Sequence, residues 1–429
     1  MDKVRLTATK ILYNVFKNGA YSNVELAKFL RKEKFSELDR KFCTELVYGT
    51  IKTGASLDWK ISKYLKRPLA KVDDKVLAVL RVGMYQIFFL DRVPNSAAVN
   101  ESVELSKKFC GIGESKFVNA VLRSAIREPN KSDFPTGDDV KSLALRNFHP
   151  AWIVKLFIEE FGLDATKKIL SFDNLNPPLC LRVNFLKTNR ENVLAALRNA
   201  GVYVEPSTFA PEGIICRNHS ALDEFQMLRE GFCQVQDESS MTAAHILNPQ
   251  PGEFIIDCCA APGGKATHIA ELMQNRGRII AVDIHDAKIK QIKQNADRLS
   301  VKIIEPLKLD AKKIGEKFPN QADKILVDAP CSGLGVLRRK ADIRWKKIFS
   351  EINDLPVLQE EILNGAAGAL KIGGTLLYST CTILKRENLD VAEKFLTTHK
   401  NFELIETKNF LPHVTNTDGF FYAKFIRKS

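Results

Sequence analysis

The sequence predicts a multidomain chain: an all-α domain, then a small α+β module, then an α/β domain built on a doubly wound, mostly parallel sheet. Three observations predict it. Apolar residues recur at three- and four-residue spacing through the first 128 positions. Helical and alternating segments mix from Leu143 onward. From about Gln236 short strand-like runs alternate with helical ones. The 429 residues leave room for two or three such domains.

The first part spans residues 1–128. Ala8, Ile11, Leu12, Val15 and Phe16 form one buried helical stripe. Leu57, Ile61 and Leu65 repeat the pattern, and Ser56 stands where an N-cap would start that helix. Val76–Leu90 is apolar enough for the centre of a bundle, and Asn95–Lys108 and Lys116–Arg127 supply two more helices. Residues 129–140 carry proline, glycine and charge without periodicity and read as a linker. In the module at 141–235, His149–Phe161 and Asn189–Ala200 read as helices; Leu179–Asn184, Val202–Glu205 and Gly213–Cys216 read as strands. In the last domain, 236–429, the strands are Phe254–Ile256, Arg278–Val282, Ile303–Leu309, Lys324–Val327 and Thr375–Tyr378. Lys265–Met273 and Leu355–Leu370 are helices between them, and Phe402–Ile405 and Phe420–Ile426 complete the sheet as an antiparallel edge.

Net charge is +13, unevenly spread: residues 1–129 hold 24 Lys and Arg against 14 Asp and Glu, the remaining 300 hold 40 against 37. A basic helical domain beside a nearly neutral one fits a polyanion partner, most simply nucleic acid. No apolar run reaches membrane-spanning length, and the charged start continues into further helices, so a domain helix is expected there rather than a signal peptide. The nine cysteines form no CxxC pair or spaced Cys/His set, so reduced thiols are expected and a metal site is not.

The chemistry-bearing residues cluster after strands. Asp328–Gly333 reads Asp-Ala-Pro-Cys-Ser-Gly and places a carboxylate and the Cys331 thiol at a strand end; Cys381 follows another strand in Tyr-Ser-Thr-Cys-Thr. Ligands of open α/β sheets bind at those ends. Packed core thiols are the plain alternative, weakened because both cysteines lie in polar loops. Asp257–Lys265, DCCAAPGGK, joins a strand to a helix but matches neither phosphate-binding glycine pattern, which favours a cofactor without phosphate over a nicotinamide dinucleotide. Asp283 and Asp310 end the next strands, where they can meet ribose hydroxyls and an adenine amino group; S-adenosylmethionine has both and no phosphate.

Taken together, DCCAAPGGK, DAPCSG and STCT closely resemble the RNA (cytosine-C5) methyltransferases of the NOL1/NOP2/Sun family. Arg40–Lys52 (RKFCTELVYGTIK), Val93–Val103 (VPNSAAVNESV) and Lys116–Arg123 (KFVNAVLR) resemble the NusB-type RNA-binding domain that precedes one class of them, and the α+β module is similar in order to their RRM-like segment. The resemblance implies a Rossmann-like class I methyltransferase domain, S-adenosylmethionine as cofactor and 16S rRNA as substrate, in a cytoplasmic, monomeric enzyme. By it, Cys259, Ala260, Ala261, Pro262, Gly263, Gly264, Lys265, Asp283, Asp310 and Asp328 contact the cofactor, and Asp418–Phe421 (DGFF) matches a late strand motif. Arg338–Trp345 reads RRKADIRW, with Ala341 where the family usually has proline.

C5 of cytosine is a poor nucleophile; a thiolate added at C6 turns the ring into an enamine that can attack a methyl sulfonium. Asp328, protonated with the help of burial, serves as the acid at N3, and Lys265 can add positive charge near the developing anion. The residues alone leave open which thiol attacks. A cysteine after proline, as in DNA cytosine methyltransferases, nominates Cys331; the RNA family implies Cys381 as nucleophile and Cys331 as an aid to product release. A non-enzymatic RNA-binding factor with a relic sheet is the competing reading, and it gives no reason for two thiols and four strand-end acids to be kept.

Overall fold

The computed structural model describes residues 2–218 and 225–429. The chain divides into two compact units, Met1–Leu175 with Lys340–Lys346, and Asn176–Arg339 with Lys347–Ser429.

The first unit is helical. Lys3–Asn18, Ser22–Lys32, Glu37–Ser62, Asp74–Phe89, Asn95–Phe109 and Ile112–Arg127 pack on one apolar core containing Ile11, Leu46, Ile51, Val79 and Leu122. Its caps follow the sequence: Asp2, Ser36 and Asp73 each accept backbone N–H bonds at a helix start. Ser56 is not a cap. The helix runs unbroken through it, and its hydroxyl donates to the Leu145 carbonyl at 2.7 Å. The segment after Arg127 is pinned rather than loose, since Lys60 Nζ, buried, donates to Ser132 O at 2.7 Å and sits over the Phe134 ring. Three further helices, Val140–Arg146, Ala151–Phe161 and Leu163–Phe172, belong to this unit.

Lys340–Lys346 joins the same unit although the chain on both sides of it lies in the other. Ala341 reaches the helical core, the Trp345 indole donates to Ile51 O at 2.6 Å, and the fully buried Arg344 guanidinium donates to Phe148 O, Asp173 O and Asn174 Oδ1 at 2.6–2.9 Å.

The second unit holds two sheets. The smaller comprises β1 (Leu179–Val183), β2 (Tyr203–Pro206), β3 (Gly213–Asn218) and β4 (Cys233–Val235), ordered β2-β3-β1-β4, with helix Arg190–Asn199 against it. The larger comprises β5 (Phe254–Cys258), β6 (Arg278–Asp283), β7 (Ile304–Lys308), β8 (Ala322–Asp328), β9 (Leu370–Thr380), β10 (Phe402–Phe410) and β11 (Phe420–Arg427). Its order is β10-β11-β9-β8-β5-β6-β7; β11 is antiparallel to both neighbours and the strands from β9 to β7 are parallel. The chain turns outward in opposite directions from β5 and β8, the switch point at which such sheets bind ligands. Helix Phe349–Ala367 starts six residues before its predicted onset and carries Pro356 inside it; one missing N–H does not stop a helix whose buried face continues on both sides.

Buried polar pairs tie the two sheets of this unit. Arg182 of β1, fully buried, donates to Gly264 O, Thr267 Oγ1 and Glu271 Oε1 on the helix after β5. Glu212 lies between His245 Nε2 at 3.0 Å and His268 Nε2 at 2.7 Å. These are donor types that also bind metals, and the 2.7 and 3.0 Å separations are those of hydrogen bonds.

Candidate active site

Parallel pairing aligns the strand ends from which the predicted residues emerge. Cys258 of β5 lies opposite Val327 of β8, and Asp328 lies opposite Ser379 of β9. Asp257, Asp328 and Cys381 therefore leave neighbouring strands at one edge. The two loops beyond that edge bring Cys331 Sγ and Cys381 Sγ to 3.3 Å, both half-buried. The Cys381 thiol beside it, with burial, pushes the Cys331 thiol well up.

Lys265 Nζ donates to Asp328 Oδ2 at 2.7 Å, and Ser379 Oγ donates to Asp328 Oδ1 at 2.9 Å. Burial works against the Lys265 charge, but Asp328 outweighs it and its pKa is raised, so the residue is an ammonium. Asp328 itself is only partly enclosed, not buried as expected from sequence. The carboxylate is thus held between the Lys265 ammonium and the Ser379 hydroxyl. Cys381 is close enough to Lys265 to add to that raised pKa, so the pair and the thiols share one site.

The backbone behind Cys381 is crowded. Gly335 N donates to Cys381 O at 3.1 Å, and Gly419 N donates to Gly335 O at 2.7 Å. A Cβ on Gly335 would stand 2.8 Å from Cys381 O and from the Gly419 Cα, so only glycine fits. Asp418, one residue before Gly419, takes Arg338 and Arg339 on its two oxygens, and Arg339 also donates to Asp237 at 2.6 Å. The DGFF stretch thus braces the loop after Cys331 and, through Gly335, the backbone of Cys381.

The cofactor loop turns sharply after β5. Cys259 and Gly263 adopt left-handed backbone conformations, Ala260 N donates to Val282 O at 2.8 Å, and Asn295 Nδ2 donates to Pro262 O at 2.8 Å. Helix Gly264–Leu272 follows. Burial, with the charges of Asp328, Asp257 and Asp283, pushes the Cys259 thiol up to about 12. Asp283 accepts from His285 N at 3.0 Å with one oxygen, while the other has Lys288 Nζ at 3.5 Å. Asp310 caps the turn Ala311–Lys313, accepting from Lys312 N at 3.1 Å, and lies past the outer strand β7.

The sequence counts Asp257 among its strand-end acids but assigns it no contact of its own. Asp257 is fully buried, neither carboxylate oxygen has a partner, and burial together with Asp328 pushes its pKa well up. Buried polar atoms are nearly always satisfied, so a cationic or N–H donor is wanted there. A cofactor carrying an ammonium group, a ribose and no phosphate suits this set of acids. Asp257 opens DCCAAPGGK, so the signal lay within the motif. Glu387, Asn388 and Gln359, buried around the two thiol loops, were missed by sequence reasoning.

Comparison with known proteins agrees with this architecture. Residues 244–426 match the 16S rRNA methyltransferase RsmB/F family, residues 2–127 the NusB family, and residues 149–223 the ferredoxin-like domain of RsmF/B-like methyltransferases. "Probable ribosomal RNA small subunit methyltransferase B" of Bacillus subtilis is 38% identical over 99% of both chains. Ribosomal RNA small subunit methyltransferase B of Serratia proteamaculans is 33% identical over 92% of both. Among solved structures, that of PH0851 aligns with TM-score 0.86 and 28% identity, covering 100% of this chain and 99% of that one. The structure of NSun6 from Pyrococcus horikoshii with SFG aligns with TM-score 0.60 and 26% identity, covering 65% of this chain and 98% of that one. With one sheet edge carrying both thiols, the Lys265–Asp328 pair and the acid-lined turn, and with full-length relatives at this identity, the chain belongs to the ribosomal RNA small subunit methyltransferase B family.

Proposed function

We propose that the chain methylates C5 of a specific cytosine in 16S rRNA through a covalent cysteine–C6 adduct, with Cys381 as nucleophile. The coarser activity follows from the family: it is an S-adenosylmethionine-dependent small-subunit rRNA methyltransferase. The observation that carries the finer reading is the 3.3 Å approach of Cys331 and Cys381 beside the Lys265–Asp328 pair. Two thiols within reach of one base suit a reaction that makes a carbon–sulfur bond and then breaks it.

The target base leaves any stack to enter the site. The Cys381 thiolate adds to C6, and the electron pair moves toward C5 while Asp328, beside Lys265, supplies a proton at N3. Lys265 balances negative charge on the ring. S-adenosylmethionine, when bound, supplies an electrophilic methyl group for C5. Cys259 to Lys265 and Asp283 hold it, with Asp310 at the rim. After transfer the C5 proton is removed, the carbon–sulfur bond breaks, and Cys331 assists release of Cys381. The basic first unit recruits rRNA by phosphate contacts.

Bisulfite mapping of rRNA from cells with and without the gene tests the reaction: one protected cytosine should vanish from 16S rRNA, and an unchanged map refutes it. Cys331→Ala should accumulate a protein–RNA adduct on a denaturing gel, removed by ribonuclease, whereas Cys381→Ala should form none. The opposite pattern would make Cys331 the nucleophile.

A further inference from the structure

Each cysteine of the pair is clamped through the residues beside it, and one side chain serves both clamps. Glu387 is fully buried. Its Oε2 accepts from Ser332 N at 2.8 Å and from Gln359 Nε2 at 3.0 Å, and the same Gln359 nitrogen donates to Pro330 O at 3.0 Å. Both neighbours of Cys331 are thereby held. The other oxygen, Oε1, accepts from Thr382 Oγ1 at 3.3 Å, and the Thr382 and Ser332 hydroxyls are 2.8 Å apart. The next residue, Asn388, accepts from Thr380 Oγ1 at 2.6 Å and donates to Thr382 O at 3.0 Å, so both neighbours of Cys381 are held as well. Tyr378, earlier on β9, donates to the Glu387 carbonyl at 2.5 Å and fixes the turn itself.

We propose that Glu387 is a positioning residue of the catalytic pair, its buried carboxylate joining the Cys331 loop to the Cys381 loop and setting the separation of the two thiols. A buried carboxylate is costly to keep, and this one is spent on backbone and hydroxyl donors flanking the cysteines. Its hydrogen bonds to Ser332, Gln359 and Thr382 act on the residues flanking the sulfurs, so the clamp fixes where the thiols stand. The proposal rests on the reading that both thiols serve one base, but its test does not need RNA.

The test is the rate at which diamide, a thiol oxidant, joins Cys331 to Cys381 in the full-length protein. Both thiols are oxidised to one disulfide, diamide is reduced to the hydrazine, and the linked peptides are counted by mass spectrometry. Glu387→Gln is isosteric: its oxygen can face Ser332 and Gln359 while its amide donates to Thr382, so its rate should stay within about two-fold of wild type. Glu387→Ala removes the acceptor, and Glu387→Asp is one methylene too short to reach both loops; each should slow the reaction roughly ten-fold or more. Affinity for S-adenosylmethionine is measured in parallel and should be unchanged. Asp carries the test if Ala does not fold. Wild-type rates in Ala and Asp would overturn the proposal, as would a Gln variant as slow as Ala, or cofactor affinity falling in step with the rate, which would mark a general structural role. Failure of Cys331→Ala to trap RNA would instead refute the assigned cysteine roles and leave the cross-linking result standing.

Discussion

Asp283→Ala tests the cofactor site most directly, because the proposed ribose contact and a turn bond fall on different oxygens. One oxygen accepts the His285 N–H at 3.0 Å; the other, beside Lys288 at 3.5 Å, is the one proposed to meet a ribose. The side chain is 5% exposed, so a hydrogen bond made there is poorly replaced by water. Losing a charged acceptor costs roughly 1.5–3 kcal/mol, equivalent to a rise of about 10- to 150-fold in the Kd for S-adenosylmethionine. Losing the turn bond costs about 1 kcal/mol of stability. Asp283→Asn separates the two: its carbonyl oxygen keeps the His285 bond, while its amide meets the ribose as a donor without charge. Calorimetric titration should rank Kd as wild type, Asn, Ala, with the stability loss confined to Ala. An unchanged Kd in Ala with lowered stability would show that Asp283 is only a turn residue and refute the ribose assignment.

Arg344→Ala should destabilise the helical unit by about 3 kcal/mol or more, because three acceptors in its interior lose their donor; denaturation followed by tryptophan fluorescence checks this, and a loss below about 0.5 kcal/mol contradicts it. Burial lowers the His268 pKa from 6.5 to about 4. The folded state therefore binds fewer protons than the unfolded one between those values, so stability is full above about pH 6.5 and falls toward pH 4, by on the order of 3 kcal/mol. His268→Asn should flatten that slope, and an unchanged slope would place the acid lability elsewhere. Lys66 and Lys71 are exposed on the basic unit; replacing both by alanine should weaken binding of a 16S rRNA fragment and lower its logarithmic salt slope by roughly 0.7–0.9 for each phosphate no longer neutralised, and an unchanged slope would remove these two from the RNA face.

The order of elements was legible because local pattern and final environment agree. The Ala8–Phe16 stripe is the buried face of its helix, and the runs around Ile256, Ile280 and Val327 became central parallel strands, buried on both faces. Ser56 misled because capping chemistry is local, whereas its hydroxyl found an acceptor at Leu145, 89 residues away. The destination of Lys340–Lys346 was illegible for a related reason. Arg344 and Trp345 look like an exposed basic loop until carbonyls from distant helices are brought to them.

The site divides along the same line. Residues whose role depends on where a strand ends could be picked out by counting along the sequence: Asp328, Cys331 and Cys381 each follow an apolar run. Residues whose role depends on what surrounds them could not. Asp257 follows its apolar run as Asp328 does, but its full burial and two unpartnered oxygens are visible only in the structure. Glu387 sits among Lys385, Arg386 and Asn388, a composition that reads as a solvated turn. Nothing in that string indicates a carboxylate with no exposed surface, because its donors come from three other segments: Ser332 after β8, Gln359 in a helix, and Thr382 after β9. A pattern read along one chain finds groups that a strand end delivers, and it misses groups that hold two strand-end loops together, since the second loop is 50 residues from the first and the clamp lies beyond both.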